Sequence, residues 1–237
     1  MTLQIDGIGI KFGSFTLGPV SLSAGAEIVA VLGPNGSGKT TLLRSVNGLL
    51  PAVSGNAIFQ GEDLRSRSLE SLRRCSYVPD GDEMLFPELT LGEFFAFFIY
   101  VRVRSFAEEP DDMRDRAYQY AERLALEPGG ERIGDFSLGM RRKVQLITGL
   151  MTAPALLMVD EPQNGLDFVS SQEVRAILSE LRDTGATVLM SNHDLDSVAR
   201  IADSIVILNA GKIVARSAGR FESLDACEAF VTGHFSR

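Results

Sequence analysis

The sequence predicts an α/β fold, with a core built on a mostly parallel sheet, an N-terminal antiparallel β subdomain and an inserted α-helical subdomain. Three observations carry that prediction. Residues 28–43 read IVAVLGPNGSGKTTLL, an apolar run that rises into glycines and then into hydroxyls opening a second apolar segment. Residues 155–162 read ALLMVDEP, a continuous apolar strand closed by two acids, as expected of a strand covered on both faces. Loose period-two alternation fills the first two dozen residues, whereas residues 81–154 carry mostly helical patterning. The expected organisation is one domain over 1–237: residues 1–80 and 155–237 form the core with its antiparallel part, and residues 81–154 form the insertion.

The glycine-rich stretch has a chemical reason for its spacing. Backbone N–H groups from 35 to 41 can converge on phosphates only if glycines at 33, 36 and 38 allow positive φ and close approach. A helix starting near Lys39 adds unpaired N–H groups and the positive end of its dipole. Lys39 then reaches the β and γ phosphates, and the Thr40 hydroxyl binds Mg²⁺. Gly33, Pro34, Asn35, Gly36, Ser37, Gly38, Lys39, Thr40 and Thr41 are therefore candidate nucleotide contacts, and the expected core is that of a P-loop NTPase. A flexible glycine turn is the competing account, and it explains neither the strand before nor the helix after.

Taken in order, residues 3–11 and 15–22 suggest an antiparallel pair, with an irregularity at Gly7. Phe12 lies between them, where an aromatic either stacks on a nucleotide base or packs in a strand. Gly48 and Pro51 stop the helix after the glycine loop, and residues 57–59 and 75–78 are short strands. Residues 79–87 hold Asp80, Asp82 and Glu83 among turn formers and read as a loop leaving the sheet. Thr90 with Glu93 is a capping box for a helix over 91–104. Phe94, Phe95, Phe97, Phe98, Ile99, Tyr100 and Val101 put apolar groups on nearly every face of it. Core packing explains that, and so does a partly exposed groove for another protein.

Residues 107–131 are charged and read as a solvated helix ended by Gly129 and Gly130. Ser137 is the expected N-cap of a helix over 136–152, with Arg141, Arg142 and Lys143 on its exposed side. Asp160 and Glu161 close the 155–162 strand at the carboxyl edge of the sheet, where ligands bind in doubly wound folds. A helix over 170–184, a strand over 187–191, a short helix over 194–201, a hairpin over 205–215 and a last helix over 221–230 complete the chain and leave no room for a regulatory domain.

Composition narrows the function. With 45% apolar residues the chain can bury a sizeable core, and a net charge of −8 gives no reason to expect a nucleic-acid partner. The two cysteines, Cys75 and Cys227, have no metal-like spacing and follow no signal peptide, which favours reduced thiols in the cytosol. Two histidines argue against a histidine metal site. No apolar run approaches the roughly 18 residues that span a bilayer, so any membrane role requires a partner.

GPNGSGKT at 33–40, FSLGM at 136–140, LLMVDEP at 156–162, NGLD at 164–167 and His193 after a strand together resemble the ATP-binding subunit of an ABC transporter, over nearly the whole chain. That resemblance implies a role for each matching residue. Phe12 stacks on adenine, and Lys39, Thr40 and Thr41 contact the phosphates and Mg²⁺. Asp160 holds Mg²⁺, Glu161 is the general base, and His193 contacts the γ phosphate. Asp167 links two sites across a dimer. Ser137 and Gly139 close over the nucleotide of the opposite subunit, so a second ATP-binding subunit, identical or closely related, completes each site. The resemblance also implies that a transmembrane permease subunit docks on the 86–100 region and that the chain acts at the cytoplasmic face of the membrane. The PELT segment at 87–90 resembles export-type subunits of the ABC-2 kind.

The sequence departs from the family pattern twice. Leu138 and Met140 replace small and polar signature residues, while Ser137 and Gly139 keep the phosphate contact. Asp80 stands where the family has a glutamine; its carboxylate keeps an oxygen for Mg²⁺ but loses the amide donor and a methylene of reach. An ABC-type ATPase working on nucleic acid or the ribosome is the alternative function. A P-loop GTPase or kinase explains neither FSLGM nor His193, and Gly165 occupies the lysine position of a guanine-reading NKxD.

Overall fold

The structure is a computed structural model and describes residues 2–13, 15–106 and 109–235. The amino-terminal pair forms as β1 (Leu3–Phe12) and β2 (Phe15–Ala24), antiparallel, with its register shifting between Ile5 and Ile8, where Gly7 turns at φ +62°. β3 (Ile28–Leu32) is buried throughout and feeds the glycine loop, after which α1 (Lys39–Val46) begins. β4 (Ser54–Phe59) is longer than expected, because Ser54 and Asn56 are polar yet still pair with β1. Gln60 and Gly61, both at positive φ, turn into β5 (Glu62–Asp63), and α2 (Leu69–Arg74) starts where the Ser68 hydroxyl accepts the Ser71 N–H at 3.1 Å. Neither element is expected from the sequence: they are too short to carry a period.

β6 (Cys75–Val78) leads to the Asp80 loop and then to α3 (Leu91–Phe106). The capping box forms as expected: Glu93 Oε2 accepts the Thr90 N–H at 2.9 Å, and Thr90 Oγ1 accepts the Glu93 N–H at 3.3 Å. α4 (Pro110–Arg123) is shorter than the 107–131 expectation, of which Ala107 and Glu108 lie outside the described residues. It ends in a Schellman turn, Leu126 N–H donating to Ala121 O at 2.8 Å and Ala125 N–H to Glu122 O at 3.0 Å. Ala125 stands left-handed at φ +50°, so the stop carries no glycine to mark it.

Ser137 caps α5 (Leu138–Leu150) by accepting the Met140 N–H at 3.2 Å. The expected exposed side of this helix is a misreading: Arg142 is 2% exposed and Lys143 8%, and only Arg141 reaches outward. β7 (Leu156–Asp160) follows, then α6 (Phe168–Asp183), which starts two residues early because Asp167 caps it. β8 (Thr187–Ser191), α7 (Leu195–Ile201), β9 (Ser204–Asn209), β10 (Lys212–Arg216) and α8 (Leu224–Phe235) complete the chain. α8 is displaced from 221–230 because Ser223 caps it, accepting the Ala226 N–H at 3.2 Å.

Among the described residues one sheet runs β10-β9-β3-β8-β7-β6, parallel except for β10, and the other runs β2-β1-β4-β5. β3 explains why the two share a core. Val29 and Val31 point into an apolar cluster with Leu3, Ile8, Leu42 and Phe59, whereas Ile28, Ala30 and Leu32 join α3, α5 and α6 on the opposite face. No helix of the described residues is long and apolar enough to cross a membrane. Both cysteines are free, and burial pushes the Cys75 thiol up to about 12.

The β9–β10 turn fixes the glycine loop against β2. Gly211 donates its N–H to Ser37 O at 2.9 Å and accepts the Gly18 N–H at 2.6 Å, at φ +78°. A Cβ there would sit 2.0 Å from Thr16 O. Gly211→Ala is expected to lose about 3 kcal/mol, from left-handed strain plus the clash, measured by denaturant unfolding; a loss under about 0.5 kcal/mol contradicts this account.

Candidate functional site

The expected site residues gather at the carboxyl ends of neighbouring parallel strands. β3 ends in the glycine loop, β8 in Asn192 and His193, β7 in Asp160 and Glu161, and β6 two residues before Asp80. This is where side chains from separate strands converge in such sheets. A cleft of about 390 Å³ is lined by Asn35, Gly36, Gly38, Lys39, Thr40 and Thr41 on one side and by Asp80 and Glu161 on the other.

The loop takes its shape from its glycines. A Cβ at Gly33 would lie 2.2 Å from Leu208 O, so this residue is needed for close approach to β9. Gly38 stands left-handed at φ +106° as the N-cap of α1. The Ser37 N–H donates to Pro34 O at 3.1 Å, closing the turn. Lys39, 8% exposed, folds its Nζ back onto Gly33 O at 2.8 Å and Pro34 O at 3.5 Å. Its ammonium thus has backbone acceptors and no carboxylate partner among the described residues, which suits it to meeting an anion in the cleft.

Asp160, 1% exposed, accepts the Ser191 hydroxyl on Oδ1, while Oδ2 is buried with no hydrogen-bond partner. An orphaned carboxylate oxygen on the residue before Glu161, which lines the cleft, suits a cation-bound ligand, and Thr40, exposed in the first turn of α1, lines the same cleft. Glu161 holds an uncommon φ of +49°, fixed by its N–H on Ser191 Oγ at 3.0 Å. Its Oε2 meets His193 Nδ1 at 2.7 Å. A carboxylate only accepts, so Nδ1 carries the proton between them. Asp80 is exposed and accepts the Asn164 amide at 2.8 Å.

Other expected residues lie apart from the cleft. Ser137 and Gly139 do not line it, and Gly139 packs so closely on Gly165 that a Cβ would sit 2.7 Å from its carbonyl oxygen. Asp167 caps α6, its Oδ1 accepting the Ser170 N–H at 2.8 Å and its Oδ2 the Ser170 hydroxyl at 2.9 Å; these bonds hold its carboxyl below the usual range. Phe12 is 73% exposed and does not line the cleft, whereas its register partner Phe15 does. Phe15, Ser191, Arg142 and Gln145 all touch the site or its loops and went unrecognised in the sequence. Arg142 donates to the carbonyls of Pro79, Asp160 and Glu161. Its burial lowers its pKa to about 10 against the opposing pull of Asp80, Asp160 and Glu161.

A glycine loop between a buried parallel strand and a helix, facing acids at the ends of the next strands, defines a P-loop nucleotide-binding protein. Residues 19–164 match the family described as ABC transporter, and the chain belongs to that family. The sulfate/thiosulfate import ATP-binding protein CysA of Methylococcus capsulatus is 36% identical over 217 residues, 90% of this chain and 62% of that protein. The ABC transporter ATP-binding protein NatA of Bacillus subtilis is 31% identical over 199 residues, 84% of this chain and 78% of its own. The chain thus spans about three fifths of the length of the CysA relatives it matches (62% and 59% in two of them). A solved structure described as the ATP-binding subunit of an ABC transporter superposes with a TM-score of 0.84 at 26% identity, covering 98% of this chain and 100% of that one.

Ser191 carries a prediction. Ser191→Ala removes the only donor to the buried Asp160 carboxylate among the described residues, together with one acceptor for the Glu161 N–H. It is expected to cost about 2 kcal/mol in denaturant unfolding, whereas a neutral result would mean that water or a cation satisfies Asp160 instead.

Proposed function

We propose that the chain is the ATP-hydrolysing subunit of an ABC transporter, binding Mg–ATP between two such subunits and coupling hydrolysis to transport through a separate transmembrane permease. The observation that carries this reading is the single cleft lined by Lys39, Asp80 and Glu161, next to an Asp160 oxygen left unpaired. In the division we propose, residues 1–80 and 155–237 hold the nucleotide and 81–154 form the arm that faces the permease.

The roles rest on phosphoryl-transfer physics. Lys39 leaves the loop carbonyls for the β and γ phosphates, and the loop N–H groups stabilise charge that spreads over the γ oxygens. Thr40 and Asp160, with Asp80 alongside, would hold Mg²⁺, which when bound neutralises phosphate charge. Glu161 orients the attacking water. His193 gives up its bond to Glu161 and turns its N–H toward the γ phosphate, leaving Glu161 free to accept the water's proton. Ser137 and Gly139, lying outside the chain's own cleft, serve the nucleotide of the second subunit, and Asp167 adjoins them through the Gly165 contact. Phe12, exposed at the end of β1 and paired in register with the cleft-lining Phe15, offers a face to the adenine.

The permease meets the arm beside an apolar groove of about 280 Å³ whose lining includes Leu72, Met84, Leu85, Phe94, Phe98 and Phe106. Phe97, Tyr100 and Val101 stay exposed on the outer face of α3. Docking there places the chain at the cytoplasmic face of the membrane. Export, expected from the PELT segment, finds no support in the CysA and NatA relatives, among which the one direction named is import. We therefore propose transport without assigning its direction. No observation favours the nucleic-acid or ribosomal alternative.

Three variants test the reading. Lys39→Ala is expected to abolish retention of Mg–ATP in equilibrium binding. Glu161→Gln is expected to bind Mg–ATP but hydrolyse it at least about 100-fold more slowly, with a dimer accumulating in sizing experiments. Asp80→Gln is expected to shift the Mg²⁺ dependence of turnover. Normal hydrolysis in Glu161→Gln removes the general-base assignment, and an unchanged Mg²⁺ profile removes Asp80 from the metal site.

A further inference from the structure

Arg142 joins the Asp80 loop to the end of β7 from within α5, a link that Asn164, donating its amide to Asp80 at 2.8 Å, makes separately from the loop after Glu161. Arg142 Nη1 donates to the carbonyl of Pro79, just before Asp80, and its Nη2 to the carbonyls of Asp160 at 2.6 Å and Glu161 at 3.1 Å. Three residues further on, and so on the same face of α5, Gln145 donates Nε2 to the carbonyl of Gly81, just after Asp80. Gln145 Oε1 also accepts from Arg142 Nη1 at 3.2 Å. The peptides on both sides of Asp80 and the peptide of Glu161 are therefore held by two adjacent side chains of one helix. That helix begins at the Ser137 cap, with Gly139 in its first turn.

Charge and strain make the arrangement informative. A guanidinium 2% exposed would ordinarily be found on a carboxylate, yet among the described residues Arg142 forms no ion pair; its bonds go to three backbone carbonyls and an amide oxygen. Asp80, Asp160 and Glu161 balance the charge through space. Glu161 meanwhile keeps a left-handed φ of +49°, which persists only where its surroundings over-determine it. Its carbonyl is fixed by Arg142 and by the Asn164 N–H at 3.1 Å, and its N–H by Ser191. A planar fork reaching two loops at once is something arginine supplies and lysine cannot.

We infer that Arg142 is a positioning residue, seconded by Gln145, that locks the Asp80 loop and the Glu161 peptide to α5, so that the general base is aligned by the helix that carries the signature residues. The inference rests on the reading of Glu161 as that base. A rigid helix with its first turn in contact with a second subunit then transmits that contact to the hydrolytic carboxylate through one guanidinium.

The test is steady-state hydrolysis and equilibrium Mg–ATP binding on the full chain, with folding followed by thermal unfolding. Arg142→Gln and Arg142→Lys are each expected to lower kcat about ten-fold or more while the Kd for Mg–ATP moves less than about three-fold, because alignment is lost and phosphate contacts are kept. Gln145→Leu, which frees Gly81 and one acceptor of Arg142 but leaves the arginine's three carbonyl bonds, is expected to lower kcat less, in the same pattern, and serves if the arginine variants do not fold. Unchanged kcat in folded variants, a rise in KM with kcat intact, or full turnover in Arg142→Lys overturns the inference. An unsubstituted chain that does not hydrolyse Mg–ATP removes the underlying reading, and this inference with it; a working chain with an indifferent Arg142 removes the inference alone.

Discussion

Asp160 is a carboxylate at the end of a strand buried on both faces, and most of the site can be understood as what keeping it there requires. Removing a charge from water costs several kcal/mol even after the surroundings relax, so a buried carboxylate needs donors and opposing charge. The donor is the Ser191 hydroxyl, in reach because the β7–β8 register sets Asp160 beside Ser191. That register needs two parallel strands, hence a crossover, which α6 supplies. Opposing charge comes from Arg142, lying behind the strand end and donating to the Asp160 carbonyl. The second carboxylate oxygen is left without a partner, and on the proposed reading it is where a divalent ion would add most.

The cation of the loop obeys the same logic with the sign reversed. Lys39 is buried without a carboxylate partner, and its ammonium rests on carbonyls of the loop that it would leave on meeting a phosphate. Both key charges are therefore only partly satisfied by the protein itself. On the proposed reading, a ligand carrying phosphates and a metal would complete both at once, which would favour binding the two together over either alone.

The core of this arrangement was legible in the sequence because it depends on local rules. The glycine spacing of the loop, the continuous apolar strands, the capping box at Thr90 and the Ser137 cap each follow from a few neighbouring residues. What escaped depends on contacts distant in the chain or on rule-breaking positions. Arg142 and Lys143 look like a solvated face because charge is normally exposed; only the fold brings the Pro79, Asp160 and Glu161 carbonyls to meet Arg142. The end of α4 was misplaced because Ala125 adopts the conformation that glycine usually announces. Asp167 stands out in the sequence through NGLD, and that its carboxylate also caps α6 shows only in the fold. Phe12 is legible by its position, whereas Phe15, its register partner in the antiparallel pair, is revealed as a cleft residue only by the fold.

The aromatic helix shows how a pattern that looks uniform resolves into two faces. Leu91, Phe94, Phe95 and Ile99 share the inward side of α3 and pack into the larger core cluster. Phe97, Tyr100 and Val101, spaced three and four apart, form a second stripe turned outward. Phe86 extends that stripe, its ring edge-on to Phe97 with centroids 5.3 Å apart. Ordinary amphipathic helices have one apolar side, and a second one gains nothing from the chain's own fold. Core packing therefore accounts for the inner stripe alone. The outer stripe lies on the same helix as the Phe94 and Phe98 wall of the groove, and the groove also takes in Pro79 and Gln145, so a segment bound there would press on the loop that carries Asp80 and that Arg142 holds. On the transporter reading, docking and hydrolysis then share a loop, and the aromatic surface is the visible end of that connection.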